Sequence, residues 1–159
     1  MQRLRFMQGE WDVVAHIMGD DGQWLATSIP NETAIYPIFD GTAHREIMPI
    51  AYGDVVVQLF FSWSYDKYRQ VYRMISCDDN SGLLSVLEGN FIEGTDTVVI
   101  NDVRAGTSMI EGDGVESFSQ LASTKTSEDS FTDIVSESHD KGQSWTPIFK
   151  AVHTRKQSK

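Results

Sequence analysis

The chain has 159 residues, 40% of them hydrophobic, which is enough for one domain with a full core. No window reaches the roughly 20 consecutive apolar residues that span a bilayer. Thirteen Lys and Arg against 23 Asp and Glu leave a formal charge of −10, which argues against general binding to nucleic acid or to an anionic membrane.

The N-terminal stretch MQRLRFMQGEW moves from a basic start almost directly into a strand pattern, without the apolar block of a secretory signal. A cytoplasmic protein is expected. Leu4-Arg5-Phe6-Met7 suits one helical turn or a plug. Trp11, Val13, Ala15 and Ile17 then alternate with Asp12, Val14, His16 and Met18, the period-two pattern of a half-buried strand, closed by a turn at Gly19-Asp20-Asp21-Gly22. Pro30 cannot donate to a ladder, so it marks an edge or bend in the second strand. Asn31 to Phe39 resumes as a strand, Asp40-Gly41 turns, Thr42 to Met48 forms the next, and Tyr52-Gly53-Asp54 leads into the centre of the chain.

That centre, Val55 to Phe91, reads as a meander of three antiparallel strands, broken at residues 65–69 and 78–82, where Asp, Asn and Gly tolerate tight-turn backbone angles. Thr95 to Val103, Phe118 to Thr124, Phe131 to Glu137 and Trp145 to Thr154 add four more candidates. Gly106 to Ser117 suits a mobile loop, with Gly112-Asp113-Gly114 as a turn, and Lys156 to Lys159 should fray. About ten strands without a sustained helical period predict an all-β fold: a single antiparallel up-and-down barrel with a short N-terminal helical turn.

The single cysteine, Cys77, rules out an internal disulfide and a thiolate metal cluster. Beside Asp78 and Asp79 it reads as a packed or half-exposed thiol, not a nucleophile. His16, His44, His139 and His153 show no metal-ligand spacing, so no metal site is expected. Nucleophile elbows, phosphate loops and Cys-x-x-Cys pairs do not occur.

Leu4-x-Phe6-x-x-Gly9-x-Trp11-x-Val13 resembles the opening of lipocalin-like proteins, and later pieces resemble more narrowly the bacterial lipocalin-like domain of unknown function numbered 1579. Those pieces are Asn31-x-x-x-Ile35, Gly41, Glu46, Tyr65-Asp66, an acidic turn, Gly82 and Gly89, in the family's order and approximate spacing across nearly the whole chain. The resemblance implies a calycin-like barrel with a ligand and supplies no established catalytic residues. Arg155 fits the arginine that lipocalins pack across the first-strand tryptophan, which assigns Trp11 and Arg155 a structural cation–π role. His153 departs from the family, which commonly has an aromatic residue there.

Three functional readings follow. A binding module would enclose a small, largely apolar molecule among Phe61, Trp63 and Tyr72, with Arg73, Glu88 and Arg104 as further ligand-binding candidates. A cofactor-independent acid–base enzyme, an isomerase or cyclase of a hydrophobic intermediate, would use His44 and Glu46, two apart on one strand face. Their alternative is a solvated outer face carrying a weak salt bridge, as for Asp102 and Arg104. A filled barrel needs no ligand, and eight Phe, five Tyr and four Trp would suffice to fill one. No cofactor is expected. Haem on His153, as in the distantly similar nitrobindin barrels, is the lesser alternative, because the face shared by Phe149, Ala151, His153 and Arg155 puts that histidine beside the closing arginine and away from mid-cavity. An edge near Pro30 or an apolar outer face on residues 55–64 would support a homodimer.

Overall fold

A computed structural model describes residues 1–27, 31–52, 55–112 and 114–157. A 3₁₀ helix, Gln2–Met7, precedes strands β1 (Gly9–Met18), β2 (Trp24–Ala26), β3 (Asn31–Ile38) and β4 (Ala43–Tyr52). The central meander is β5 (Val55–Asp66), β6 (Val71–Asp78) and β7 (Leu84–Phe91), as the sequence predicts. Then follow β8 (Thr97–Asn101), β9 (Met109–Ile110), β10 (Glu116–Ser127), β11 (Ser130–Ser138) and β12 (Thr146–Arg155). Neighbouring strands pair antiparallel in the order β11-β12-β1-β3-β4-β5-β6-β7-β8-β10, and the β10–β11 pairing closes the ring. The result is a closed barrel of ten strands with two short extras, β2 on β1 and β9 on β10. Closure pairs every barrel edge, which removes the usual template for strand-to-strand aggregation.

The predicted mobile loop contains a hairpin instead: Met109 and Ile110 pair with Ser117 and Glu116, and Ser108 Oγ donates to Glu116 Oε1 at 2.7 Å. Glycine and serine content signalled irregular backbone there, but the β-branched and apolar residues between those glycines carry a short ladder. The expectations for Pro30, for Gly53-Asp54, for Asp113 and for the last two residues lie outside the described residues. No helix among the described residues is long and apolar enough to cross a membrane.

One end of the barrel is plugged. Leu4 and Met7 of the 3₁₀ helix are buried against Trp11, Val13, Ile35 and Phe131. Trp11 Nε1 donates to Met7 O at 2.8 Å, and its indole meets Phe131 edge-on with centroids 4.9 Å apart. The Arg155 guanidinium carbon lies 4.2 Å from the Trp11 ring centroid, and its nitrogens donate to Gln8 O and Phe6 O at 2.9 and 3.3 Å. The expected stacking of Arg155 on Trp11 is therefore present, and the same guanidinium ties the plug to the last strand. Gly9 makes this approach possible: its φ is +136°, and a Cβ there would stand 2.4 Å from Arg155 Nη1. Gly89 serves a second close approach, since a Cβ would lie 2.1 Å from the Val99 carbonyl oxygen, a backbone atom that cannot step aside.

Candidate functional site

Strand alternation decides what faces inward. On β5, Leu59, Phe61 and Trp63 face the interior, and on β6 Met74 and Ser76 do, opposite Trp63 and Phe61. β4 contributes Glu46, Met48 and Ile50; β11 contributes Asp133 and Val135; β12 contributes Phe149, Ala151 and His153. Together with Leu87, Leu121 and a few serines they enclose a cavity of about 300 Å³. Following each strand gives it a direction. Ile50, Ser85, Ser119, Val135 and Ile148 ring the mouth, whereas Glu46, Trp63, Asp133 and His153 form a floor above the plug. Walls are apolar; the floor is not.

Glu46 is 8% exposed and accepts a hydrogen bond from Thr33 Oγ1 to Oε1 at 2.7 Å. Burial pushes its pKa up to about 7, with the Asp133 charge adding to the rise and the Thr33 hydroxyl opposing it. Burial likewise raises Asp133 to about 7. Ser123 sits directly across the β10–β11 ladder from Asp133 and offers its carboxylate some stabilisation. Yet Asp133 Oδ1 and Ser123 Oγ both lack a partner of ordinary hydrogen-bond geometry. His153 is 1% exposed, stacked on Phe131 at 3.9 Å and 8°, with Nδ1 unpartnered. Burial lowers its pKa to about 4, the backbone at Ala151 and Phe131 offsetting part of the fall. The floor thus presents two readily protonated carboxyls and one neutral imidazole, a combination that can accept hydrogen bonds, exchange protons near neutrality, or receive a cation.

The residues singled out from the sequence divide into three groups. Phe61, Trp63 and Glu46 line the cavity. His44 shares Glu46's inward face, so the pair is not a solvated outer surface, but it lies one layer below the floor, fully buried. Its Nε2 is 2.7 Å from Gln8 Nε2, and burial, then the charges of the N-terminal amino group and Arg5, push its pKa down to about 4. Tyr72 also points inward and packs against Tyr65 and Phe91 near the closed end, with no surface on the cavity.

Arg73, Glu88 and Arg104 form the third group, outside the barrel lining. Arg73 pairs in register with Glu88, and the Glu88 carboxylate forms ion pairs with both arginines, 3.3 Å from Arg73 Nε and 3.2 Å from Arg104 Nε. This ion cluster covers the outer wall of β6 and β7. Asp102 and Arg104 do not pair with each other: β8 ends at Asn101, Asp102 turns inward to accept the Ser119 N–H at 2.9 Å, and Arg104 turns to Glu88. His153 lies at the floor of the cavity, beside the plug at the closed end.

Sequence reasoning missed Asp133. Its signal is the alternation Phe131-x-Asp133-x-Val135, an acid seated on an otherwise apolar strand face. It also missed a group at the mouth, where Glu111, Glu137 and His139 bring one ligand-type atom each within 4.8 Å of one another among the described residues.

No protein-family model matches this chain, and no curated protein matches it. A solved structure of a redesigned beta barrel is similar: 12% of residues are identical, 98% of this chain and 96% of that one are covered, and the TM-score is 0.46. The class of protein is accordingly defined by its own topology, a closed antiparallel β-barrel.

Proposed function

We propose that the barrel binds a small, largely apolar molecule that carries one polar end. A single observation carries this reading: a cavity of about 300 Å³ with apolar walls has, at its floor, the unpartnered atoms Asp133 Oδ1 and His153 Nδ1. Buried polar atoms without partners are uncommon because each costs roughly 1–3 kcal/mol, so a ligand that supplies the missing hydrogen bonds is favoured. The volume suits a ligand of one or two rings, at the lower limit of small-molecule pockets. The haem alternative has only the His153 nitrogen behind it, on a ring already stacked against Phe131. Trp11, Arg155 and the Gly9-x-Trp11 opening support a lipocalin-like relationship, and the net charge of −10 supports a ligand other than nucleic acid.

Titration with the neutral fluorophore N-phenyl-1-naphthylamine tests the reading. Uptake is expected to be saturable and weakened more than tenfold by Ser76→Phe, which places a ring inside the cavity; equal uptake by the two proteins, or none by either, would sink it.

A second reading has its own observation. Two neighbouring carboxyls near pKa 7 allow one to donate a proton while the other accepts, and proton transfer by a positioned group is worth about 10²–10⁴-fold in rate. Asp133 takes the part that sequence spacing assigned to His44, which has no surface on the cavity. In deuterated buffer the barrel should speed exchange of the α-protons of 2-tetralone, and Glu46→Gln should abolish the acceleration. Exchange at the buffer rate with the wild-type protein rules this chemistry out for that class of carbonyl.

A further inference from the structure

The polar end of the ligand has a definite chemistry. We infer that the barrel floor recognises an organic ammonium: Glu46 and Asp133 receive the cation while Phe61, Trp63 and Phe149 hold an aromatic or aliphatic body above it. The inference rests on the binding reading proposed above. Its basis is the inventory of donors and acceptors. Asp133 Oδ1, Ser123 Oγ and His153 Nδ1 are all without a partner; the Ser123 hydroxyl across the ladder has a single hydrogen to offer, and a carboxylate asks for donors, never for another acceptor. Thr33 Oγ1 already spends its hydrogen on Glu46 Oε1. What the floor lacks is a donor with several hydrogens, and an ammonium group has three.

Charge leads to the same ligand. Two carboxyls interact across this floor, and among the described residues no Lys or Arg lines the cavity. The arginine candidates Arg73 and Arg104 are spent on Glu88 at the outer wall. Lys125 lies toward the closed end and is held by Glu128 at 2.5 Å. A buried acidic pair without a resident counter-ion is costly when ionised, and a cation that enters relieves the cost. The aromatic walls add cation–π attraction, which a carboxylate-bearing ligand would forfeit. An anionic amphiphile is disfavoured on both counts.

The groups that face this floor set its pH response. They are Glu46 on β4, Asp133 on β11 and His153 on β12; one layer below, His44 on β4 lies near the N-terminal amino group and Arg5. Glu137 and His139 stand at the opposite end, near the mouth. His44 and His153 stay neutral above about pH 4, so on the floor itself only the two carboxyls change charge between pH 6 and 8; one layer below, the N-terminal amino group, lowered from 8.0 by burial and then by Arg5, gives up its charge over the upper part of that range. Ammonium affinity should therefore rise with pH through neutrality, about tenfold per carboxylate that must be ionised.

Isothermal titration with three indoles tests this on the whole chain: tryptamine, its neutral counterpart 3-ethylindole, and the anion indole-3-acetate. Tryptamine is expected to bind at least tenfold more tightly than 3-ethylindole at pH 8, with the advantage shrinking at pH 6, and indole-3-acetate least well. Glu46→Gln and Asp133→Asn should each cut tryptamine affinity at least tenfold while leaving 3-ethylindole within twofold, which also shows that the variants fold. Equal binding of tryptamine and 3-ethylindole overturns the ammonium assignment and leaves an apolar binder. Failure of all three, together with no uptake of the fluorophore, overturns both readings.

Discussion

Trp11→Ala is expected to lower stability by about 4 kcal/mol, read as a fall in the urea midpoint at pH 7. The indole is 1% exposed and is the largest fully buried side chain in the closed end. Removing it leaves Met7 O without its 2.8 Å donor and opens a void between the 3₁₀ plug, Phe131 and His153. It also strips the face on which Arg155 rests. Trp11→Phe separates these contributions: it keeps most of the apolar volume and loses the N–H, for an expected cost of about 1–2 kcal/mol. Crossing Trp11→Phe with Arg155→Lys should reveal a coupling energy of about 1 kcal/mol, because lysine keeps the charge but not the planar fork that reaches Gln8 O and Phe6 O. A loss below about 1 kcal/mol for Trp11→Ala would mean that the plug is dispensable to the core.

The end of the barrel that Trp11 closes was legible because its cause is local. Gly9, Trp11 and the strand that follows sit within a few residues of one another, and Arg155 enters through the pairing of first and last strands, Trp11 opposite Arg155. The central meander was legible for the same reason: its breaks fall where Asp66 and Asp78 carboxylates cap their own turns, accepting the N–H groups of Tyr68 and Arg69 and of Asn80 and Ser81. Facing was harder. β5 is apolar on both sides, so its alternation could not say whether Arg73 on the next strand pointed in or out; the pairing of Ser64 with Arg73 and of Trp63 with Met74 settles that Arg73 points out. The floor was least legible, because Glu46 and Asp133 stand on β4 and β11 and meet only once the barrel closes. Their chemistry belongs to the closure. The mouth group of Glu111, Glu137 and His139 escaped for a similar reason, since the β9–β10 hairpin brings Glu111 to the end of β11.

Asp133→Asn is expected to stabilise the barrel at pH 8 by about 3–4 kcal/mol and to leave it unchanged near pH 4. Unfolded, an aspartate titrates near 3.8; in the barrel Asp133 titrates near 7. The folded state therefore binds the proton more tightly, and the stability this contributes is fully present below pH 4 and lost as pH rises to about 7. Glu46, raised from 4.5 to about 7, behaves the same way, though part of its rise comes from Asp133, so the two effects do not add. The buried histidines act oppositely. His44 and His153 fall from 6.5 to about 4, so their contribution is present above pH 6.5 and lost as pH falls toward 4. Two falling and two rising contributions overlap, and the wild-type protein should keep nearly constant stability between pH 4.5 and 6.5 before declining toward pH 7.5. With Asp133 neutralised one falling contribution disappears, so the variant should gain stability steadily across the same interval. Urea unfolding at half-unit steps of pH measures both curves. Parallel curves would show that Asp133 is not held as a costly buried carboxylate, and the attraction of the floor for an ammonium would lose its source.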